Sequence, residues 1–153
     1  MGSPLAKAKK STRLQTVVQL AEQREQRAAK ILADTRKRLL AAQKQMDSLR
    51  AYQNDYAQNF SRMAAKPTHP AVLANYSGFY QSLNRAEEIQ LKQIEVIEEQ
   101  LGRAMQHWQL QYQRRLNMEK LYKAALADEE QQAEKRLQRE FDDRPLKLDQ
   151  GWR

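Results

Sequence analysis

Carboxylates are the most numerous side chains in this sequence that could act as acids, bases or metal ligands, and some glutamates stand side by side. Glu87 and Glu88 form one such pair, and Glu98 and Glu99 form another. Adjacent residues on a helix point about 100° apart, so neither pair can bring its carboxylates together to share a proton. We therefore interpret both pairs as solvated surface charges, not as the acid and base of an enzyme.

Other residue types that support catalysis or metal binding are few. Cysteine is absent, which excludes disulfides and thiolate ligands. The two histidines, His69 and His107, have no partner at the spacing of a metal site, and no glycine-rich loop could hold a phosphate. We expect no catalytic residue, no metal site and no cofactor. The chain is therefore predicted to be a binding or structural protein and not an enzyme.

A seven-residue repeat of apolar and uncharged side chains indicates a long helix in the first part of the chain. The first row of the repeat contains no charged residue and consists of Leu14, Ala21, Ala28, Thr35, Ala42, Leu49, Tyr56 and Met63. The second row, four residues further on, consists of Val18, Glu25, Leu32, Leu39, Met46, Gln53 and Phe60. Rows with this spacing are the a and d positions of a coiled-coil helix, interrupted here only by the charge of Glu25.

The first helix is predicted to end at a proline-containing break over residues 65–70. Pro67 and Pro70 lack the amide hydrogen that a helix needs, and each disfavours a helical conformation in the residue before it. No other strong break occurs between residues 12 and 140, so we predict that helix 1 ends near Ala64 and that the break is a turn.

A second helix is predicted from about Ala71 to Phe141. Gly78 suggests an irregularity, or a separate short helix, in its first turns. Its apolar stripe consists of Tyr76, Tyr80, Leu83, Ile94, Ile97, Leu101, Ala104, Trp108, Met118, Tyr122 and Ala125. The predicted fold class is all-α, with two long helices that form an antiparallel coiled-coil hairpin.

The domain organisation follows from these elements. We expect a disordered basic N-terminus over residues 1–11, the hairpin over residues 12–141 with its turn at 65–70, and a disordered tail over residues 142–153 that contains Pro145. An antiparallel register about the turn would place Ala42 opposite Ile94, so that small residues of helix 1 face large ones of helix 2.

Positive charge is concentrated in the first helix. The net charge is +9 over residues 1–66, +1 over residues 67–127 and −2 over residues 128–153. Such a basic surface could attract nucleic acid or an acidic protein, or it could be an ordinary solvated helix face. No apolar run approaches the ~20 residues that span a bilayer, and no secretory signal is evident. We therefore expect a soluble chain without a transmembrane segment.

Aromatic residues gather on both sides of the predicted turn. Tyr52 lies outside the two heptad rows, and Phe79 lies beside the stripe residue Tyr80. Exposed aromatic side chains that cluster are typical of a protein-binding surface. The alternative is that the end of the hairpin folds back near Gly78 and buries these side chains.

The sequence around the turn resembles a known family. Residues 49–56 (LRAYQNDY) and 73–83 (LANYSGFYQSL) resemble the signature near the turn of the FliJ family of flagellar type III export proteins. The resemblance covers roughly residues 12–141 and includes the basic N-terminal part, Trp108 and the charged end of helix 2.

This resemblance implies a cytoplasmic protein at the periphery of the inner-membrane export apparatus. Members of the family are coiled coils similar to the central stalk of rotary ATPases. They insert into the hexameric export ATPase FliI, link it to the export-gate membrane protein FlhA, and associate with export chaperones. The same function is therefore expected for this chain.

The resemblance also implies two binding surfaces. The gate-binding positions of the family match Gln45, Leu49, Tyr52, Tyr56, Phe79, Leu83 and Ala86. At the next matching position stands Gln90, where relatives can have histidine. The ATPase-binding end of the stalk corresponds to the region where the termini meet, with Arg13, Arg24, Arg27, Arg136 and Arg139 as candidates.

Three other functions are compatible with a basic coiled coil. The first is the equivalent stalk of a virulence type III secretion system. The second is nucleic-acid binding, which is disfavoured because the aromatic residues lie near the turn instead of alternating with the basic residues. The third is a membrane-surface helix, which is disfavoured because helix 2 already covers the apolar stripe of helix 1.

Overall fold

The structure is a computed structural model that describes the backbone of residues 9–67 and 69–150 and the side chains of residues 9–67 and 69–143. It contains two helices, α1 (Lys10–Ala64) and α2 (Pro70–Gln150), and no strand among the described residues. The predicted all-α fold class with two long helices is confirmed. No helix in the described ranges is both long and apolar enough to cross a membrane.

The heptad rows of α1 form its contact face. Every position of both predicted rows is buried or half-buried, and so is every position of the predicted stripe of α2. The most covered side chains are Ala28, with 2% of its surface exposed, and Met46, with 3%. No large side chain among the described residues is completely buried. The interface between two helices is therefore a single narrow layer, which cannot stabilise the fold as a globular core would.

The helices group into two units. Unit 1 comprises Met1–Arg27 and Gln109–Arg153, and unit 2 comprises Ala28–Trp108. In unit 1, the hydrogen-bonded partners Ser11 and Glu129 are 118 residues apart in the sequence, and Glu25 and Arg115 are 90 apart. The separation decreases as α1 proceeds, so α1 and α2 are antiparallel.

Unit 2 follows the same antiparallel pattern. Arg38 and Gln100 are 62 residues apart, the Gln90 side chain and the Ala42 carbonyl are 48 apart, and Gln53 and the Leu83 carbonyl are 30 apart. Gln90 stands one helical turn from Ile94, the residue expected opposite Ala42. The predicted hairpin register is therefore correct to about one turn.

The turn is built from a helix end and a cap. α1 ends at Ala64 as predicted, and the Lys66 amide donates to the carbonyl of Met63. His69 caps α2: its carbonyl accepts from the Val72 amide at 3.0 Å, and its Nδ1 accepts from the Ala71 amide at 3.2 Å. Pro70 is the first residue of α2, where its missing amide hydrogen costs nothing. Thr68 lies outside the described residues.

The helix ends differ from the expected domain boundaries. α1 begins at Lys10, and Ser11, which we expected to be disordered, is buried. α2 continues to Gln150 although we expected disorder from residue 142. Pro145 removes one backbone hydrogen bond, and the Leu, Lys and Gln residues that follow it favour a helix. The disorder expected for residues 1–8 and 151–153 falls outside the described part of the chain.

The region around Gly78 is regular helix. α2 passes through it without a break, and Gly78 does not have a positive φ. The expected irregularity or separate short helix is therefore absent. A Cβ atom at Gly78 would meet no other atom within 4 Å, so close packing does not require a glycine there. A helix tolerates an isolated glycine at a cost of about 1 kcal/mol, which explains why it continues.

Candidate functional site

Five aromatic rings of unit 2 form one connected group next to the turn, which we call the aromatic cluster: Tyr52, Tyr56, Phe60, Tyr76 and Phe79. Tyr56 is at its centre, because its ring lies 4.5 Å from that of Tyr76 in a stacked arrangement and 4.8 Å from that of Phe79. Phe79 also contacts Tyr52 edge to face at 6.5 Å. Such ring pairs add about 0.5–1.5 kcal/mol beyond the area they bury, so the rings hold one another in place.

The cluster presents two of its rings to solvent. Tyr52 is 55% exposed and Phe79 is 43% exposed, whereas Tyr56, Phe60 and Tyr76 are half-buried. Burial raises the pKa of the Tyr56 hydroxyl, and the neighbouring Tyr76 and Tyr52 raise it further. Tyr56 therefore remains a neutral hydrogen-bond donor at physiological pH. Because Tyr52 and Phe79 stay exposed, the alternative in which the end of the hairpin buries them is not what the structure shows.

The other predicted gate-binding residues differ in how exposed their side chains are. Gln45 is exposed, and its Oε1 accepts from the side-chain amide of Gln90 at 3.3 Å. Leu49 and Ala86 are half-buried. Leu83 is only 9% exposed and belongs to the contact layer between the helices. All seven predicted residues therefore lie in unit 2. Leu83 is covered by the contact between the helices, so it can support the exposed residues but offers little surface to a partner.

A polar group fixes the two helices next to this surface. The Gln53 side-chain amide donates to the Leu83 carbonyl at 3.2 Å, to Asn84 Oδ1 at 3.1 Å and to Glu87 Oε2 at 2.9 Å. Glu87 also pairs with Arg50 at 3.5 Å. Gln53, a residue of the second heptad row, thus donates hydrogen bonds to three acceptors of α2. These contacts fix how the two helices are aligned beside the aromatic cluster.

The five predicted ATPase-binding arginines all lie in unit 1. Their side chains are exposed, and none has a carboxylate oxygen within 4 Å among the described residues. Arg136 borders a polar surface groove of about 390 Å³ that also involves Lys9, Lys10, Asp128 and Glu129. The structure therefore spreads these arginines over one unit without assembling them into a single pocket.

The side chains of α2 that follow Glu129 are open to solvent as far as the structure describes them. Residues 130–143 are all exposed, including the large apolar side chains of Leu137 and Phe141. These two are four residues apart and therefore share a face of the helix. They lie 12 and 16 residues after Ala125 and so fall outside the spacing of the predicted stripe, which is why that pattern does not single them out.

An ionic group fills the interface of unit 1 where Glu25 interrupts the heptad rows. Arg115 donates from Nε to Glu25 and from Nη1 to Glu119 at 2.7 Å, and its guanidinium lies 5.2 Å from the Tyr112 ring. The hydrogen bond to Glu119, and then that to Glu25, raise the pKa of Arg115. The charge at a heptad position is thus compensated by a cation from α2.

A second polar contact holds the start of α1. The Ser11 hydroxyl donates to Glu129 Oε2 at 2.7 Å, and the Ser11 amide donates to Glu129 Oε1 at 3.2 Å. The amide is one of the first in α1 and has no partner within its own helix, so Glu129 satisfies it from α2. The Ser11 hydroxyl and then its amide lower the pKa of Glu129, with a smaller effect from Lys9.

Of the paired glutamates interpreted above as solvated surface charges, Glu87 is instead half-buried. Across the described ranges, no group of three or more histidine, aspartate or glutamate side chains is placed to hold a metal ion. Glu87 hydrogen-bonds within unit 2, and His69 acts as a helix cap. These residues therefore have structural roles in the described contacts.

Comparison with known proteins identifies the family of the chain. No curated protein and no solved structure was found to match the chain. A family model described as the flagellar FliJ protein matches residues 9–147, which is nearly the whole chain. The matched range includes the aromatic cluster, the ionic group at Glu25 and the five arginines of unit 1. The chain therefore belongs to the FliJ family and is a component of the flagellar type III export apparatus.

Proposed function

We propose that this FliJ-family protein binds the export ATPase FliI through unit 1 and the export-gate protein FlhA through unit 2. Family membership supports a role in flagellar protein export, and the two partners are those implied by the resemblance around the turn. The proposed role requires two surfaces that differ in chemistry. It requires no catalysis by the chain itself.

The observation that supports gate binding most directly is the exposure of Tyr52 and Phe79 at the aromatic cluster. Both side chains are held by ring contacts, so little side-chain entropy is lost when a partner covers them. Rigid aromatic anchors surrounded by polar residues are typical of binding hot spots. Gln45 and Gln90, which hydrogen-bond to each other in the same unit, would supply polar contacts to the partner.

ATPase binding is supported by the chemistry of unit 1. Arg136 and Arg139 lie in the part of α2 whose side chains are all exposed, and Leu137 lies between them. We propose that Leu137 and Phe141 supply apolar contacts and that the arginines pair with acidic groups of the ATPase. Charges of this kind guide the encounter and fix the orientation of a complex more than they raise its affinity.

The gate half of the proposal is tested with the cytoplasmic domain of FlhA. The double variant Tyr52→Ala/Phe79→Ala is expected to bind it at least about tenfold more weakly, because two exposed anchors are removed. Leu91→Ala is the matched control, since Leu91 is an exposed apolar residue of α2 that lies outside the cluster. Wild-type affinity of the double variant, with unchanged helicity, would reject gate binding through this surface.

The ATPase half is tested with FliI at several salt concentrations. Arg24→Glu/Arg27→Glu is expected to slow association with FliI, and the difference from the wild type should shrink as salt screens the charges. Arg62→Glu is the control, because it reverses an exposed charge in unit 2. Equal binding of the double variant and the wild type at low salt would contradict the assignment.

Two further parts of the proposal concern the cellular setting. We propose that the chain acts in the cytoplasm at the periphery of the inner-membrane export apparatus, and that it also associates with export chaperones. Both follow from the family resemblance. Co-purification of the chain with the membrane fraction only when FlhA is present would support the first part, and the Tyr52→Ala/Phe79→Ala variant provides the control.

A further inference from the structure

Unit 2 has an open apolar groove that none of the proposed gate-binding or ATPase-binding residues lines. The groove has a volume of about 410 Å³ and is bordered by Arg38 of α1 and by Ile89, Lys92, Val96 and Gln100 of α2. Ile89 is 59% exposed and Val96 is 52% exposed. Large apolar side chains that remain this exposed on the same face contribute little to the fold and are available to a partner.

No carboxylate of the described residues forms an ion pair with the cations at the groove. Arg38 donates from Nη2 to Gln100 Oε1 at 2.8 Å, and its guanidinium has further donors that can bind a carboxylate. Neither Arg38 nor Lys92 has a carboxylate oxygen within 4 Å among the described residues. We propose that this groove binds an amphipathic helix of a protein partner, with apolar side chains on Ile89 and Val96 and carboxylates paired with Arg38 and Lys92.

The geometry favours a helix as the occupant. Ile89 and Val96 are seven residues apart, so they stand two turns apart on one face of α2 and line about 10 Å of the groove. A partner helix that lies along the groove can pack the residues at its own positions i, i+3, i+4 and i+7 against this pair. Its acidic residues would then flank the apolar positions, where they reach the two cations.

The charges disfavour a second copy of the chain in the groove. A symmetric contact places the same patch of both molecules face to face, so Arg38 and Lys92 of both molecules would lie in one contact. Like charges that meet in a contact oppose association. A partner with the opposite charge avoids this cost, and the inference does not depend on which protein binds the aromatic cluster.

The test uses a fluorescent synthetic helix of about 18 residues with leucine at positions i, i+3, i+4 and i+7 and glutamate beside them. Fluorescence anisotropy is expected to show saturable binding to the full-length chain that a scrambled peptide does not show. Ile89→Ser/Val96→Ser should weaken the binding at least about tenfold, whereas Leu91→Ser should leave it unchanged. Circular dichroism establishes that each variant remains helical.

A charge swap tests the role of the cations. Arg38→Glu/Lys92→Glu should weaken binding of the glutamate peptide and should create binding of a peptide in which lysine replaces each glutamate. Arg62→Glu should do neither. Equal binding of the glutamate and scrambled peptides, or binding that survives both double variants, would overturn the proposal. Sedimentation that shows self-association abolished by Ile89→Ser/Val96→Ser would also overturn it, because the occupant would then be a second copy.

Discussion

Unit 1 and unit 2 join the same two helices by different chemistry. In unit 1, the contacts that cross between the helices include the Glu25–Arg115 pair and the Ser11–Glu129 hydrogen bonds. In unit 2, they include stacked aromatic rings and the side-chain amide of Gln53. Because the shared contact layer is narrow, each unit needs additional specific contacts to fix its register, and the two units obtain them from different residue types.

The difference extends to the outer surfaces. Unit 2 presents exposed aromatic rings and an apolar groove bordered by Arg38 and Lys92, whereas unit 1 presents five exposed arginines together with Leu137 and Phe141. The two units therefore differ most clearly in the contacts that join their helices, which are ionic in unit 1 and aromatic in unit 2. This suggests that salt and pH should act mainly on unit 1, and that loss of apolar or aromatic groups should act mainly on unit 2.

The largest effect is expected from Met46→Ala in unit 2. Met46 is almost fully buried, so the substitution should lower the free energy of unfolding by about 2–3 kcal/mol through lost burial and a residual cavity. Urea denaturation should show this loss equally at low and high salt. Met46→Leu keeps the volume and should cost less than about 1.5 kcal/mol. A strongly salt-dependent loss would show that unit 2 is not held mainly by apolar contacts.

Tyr76→Ala should have the next largest effect. It removes the ring that stacks on Tyr56 and contacts Phe60, and we expect a loss of about 1–2 kcal/mol in the free energy of unfolding. Tyr76→Phe keeps the ring and should retain most of that stability. The alanine variant should also bind the FlhA cytoplasmic domain more weakly, because Tyr56 and Phe79 lose their support. If the phenylalanine variant loses as much free energy of unfolding as the alanine variant, the hydroxyl and not the ring stacking provides the stability.

A smaller effect of a different kind is expected from Glu25→Gln in unit 1. Both side chains of the Glu25–Arg115 pair are mostly covered, and Arg115 keeps Glu119 as a partner when Glu25 loses its charge. We expect a modest destabilisation that decreases as salt increases, because salt also weakens the pair in the wild type. Thermal unfolding at several salt concentrations measures this. The comparison between units fails if Met46→Ala and Glu25→Gln respond to salt alike.

The smallest effect concerns pH and the Ser11–Glu129 contact. The pKa of Glu129 is lower in the folded chain than its usual value, so its contribution to stability is present above that usual value and is lost as the pH falls through the lowered one. Ser11→Ala removes the hydroxyl that is the main cause of the shift. Acid unfolding of this variant should therefore depend less on pH than that of the wild type, and an unchanged dependence would contradict the assignment.

The helices could be predicted from the sequence because their signals are periodic and local. The a and d rows of α1 needed only a regular spacing, and Pro67 and Pro70 marked the turn. The position of the aromatic cluster also followed, since residues equally far from a turn must meet in an antiparallel hairpin.

Individual side-chain contacts were not predictable in the same way. The partner of Glu25 depends on the register to within one residue, and an error of one turn moves Arg115 out of reach. The apolar groove was missed because Ile89 and Val96 lie outside the contact face, where a sequence pattern gives no sign of whether a side chain is covered. The helix beyond Phe141 is not predictable in this way, because Pro145 disfavours a helix and the residues that follow it favour one.

The order of contacts along the helices also bears on how the chain folds. Gln53 and Leu83 close a loop of roughly thirty residues, whereas Ser11 and Glu129 must meet across nearly the whole chain. Loop closure costs more entropy as the loop lengthens, so contacts near the turn are expected to form first and those of unit 1 afterwards. The aromatic cluster beside the turn would then serve as the folding nucleus as well as a binding surface, and substitutions at Tyr56 or Tyr76 should slow folding, whereas substitutions at Ser11 should mainly speed unfolding.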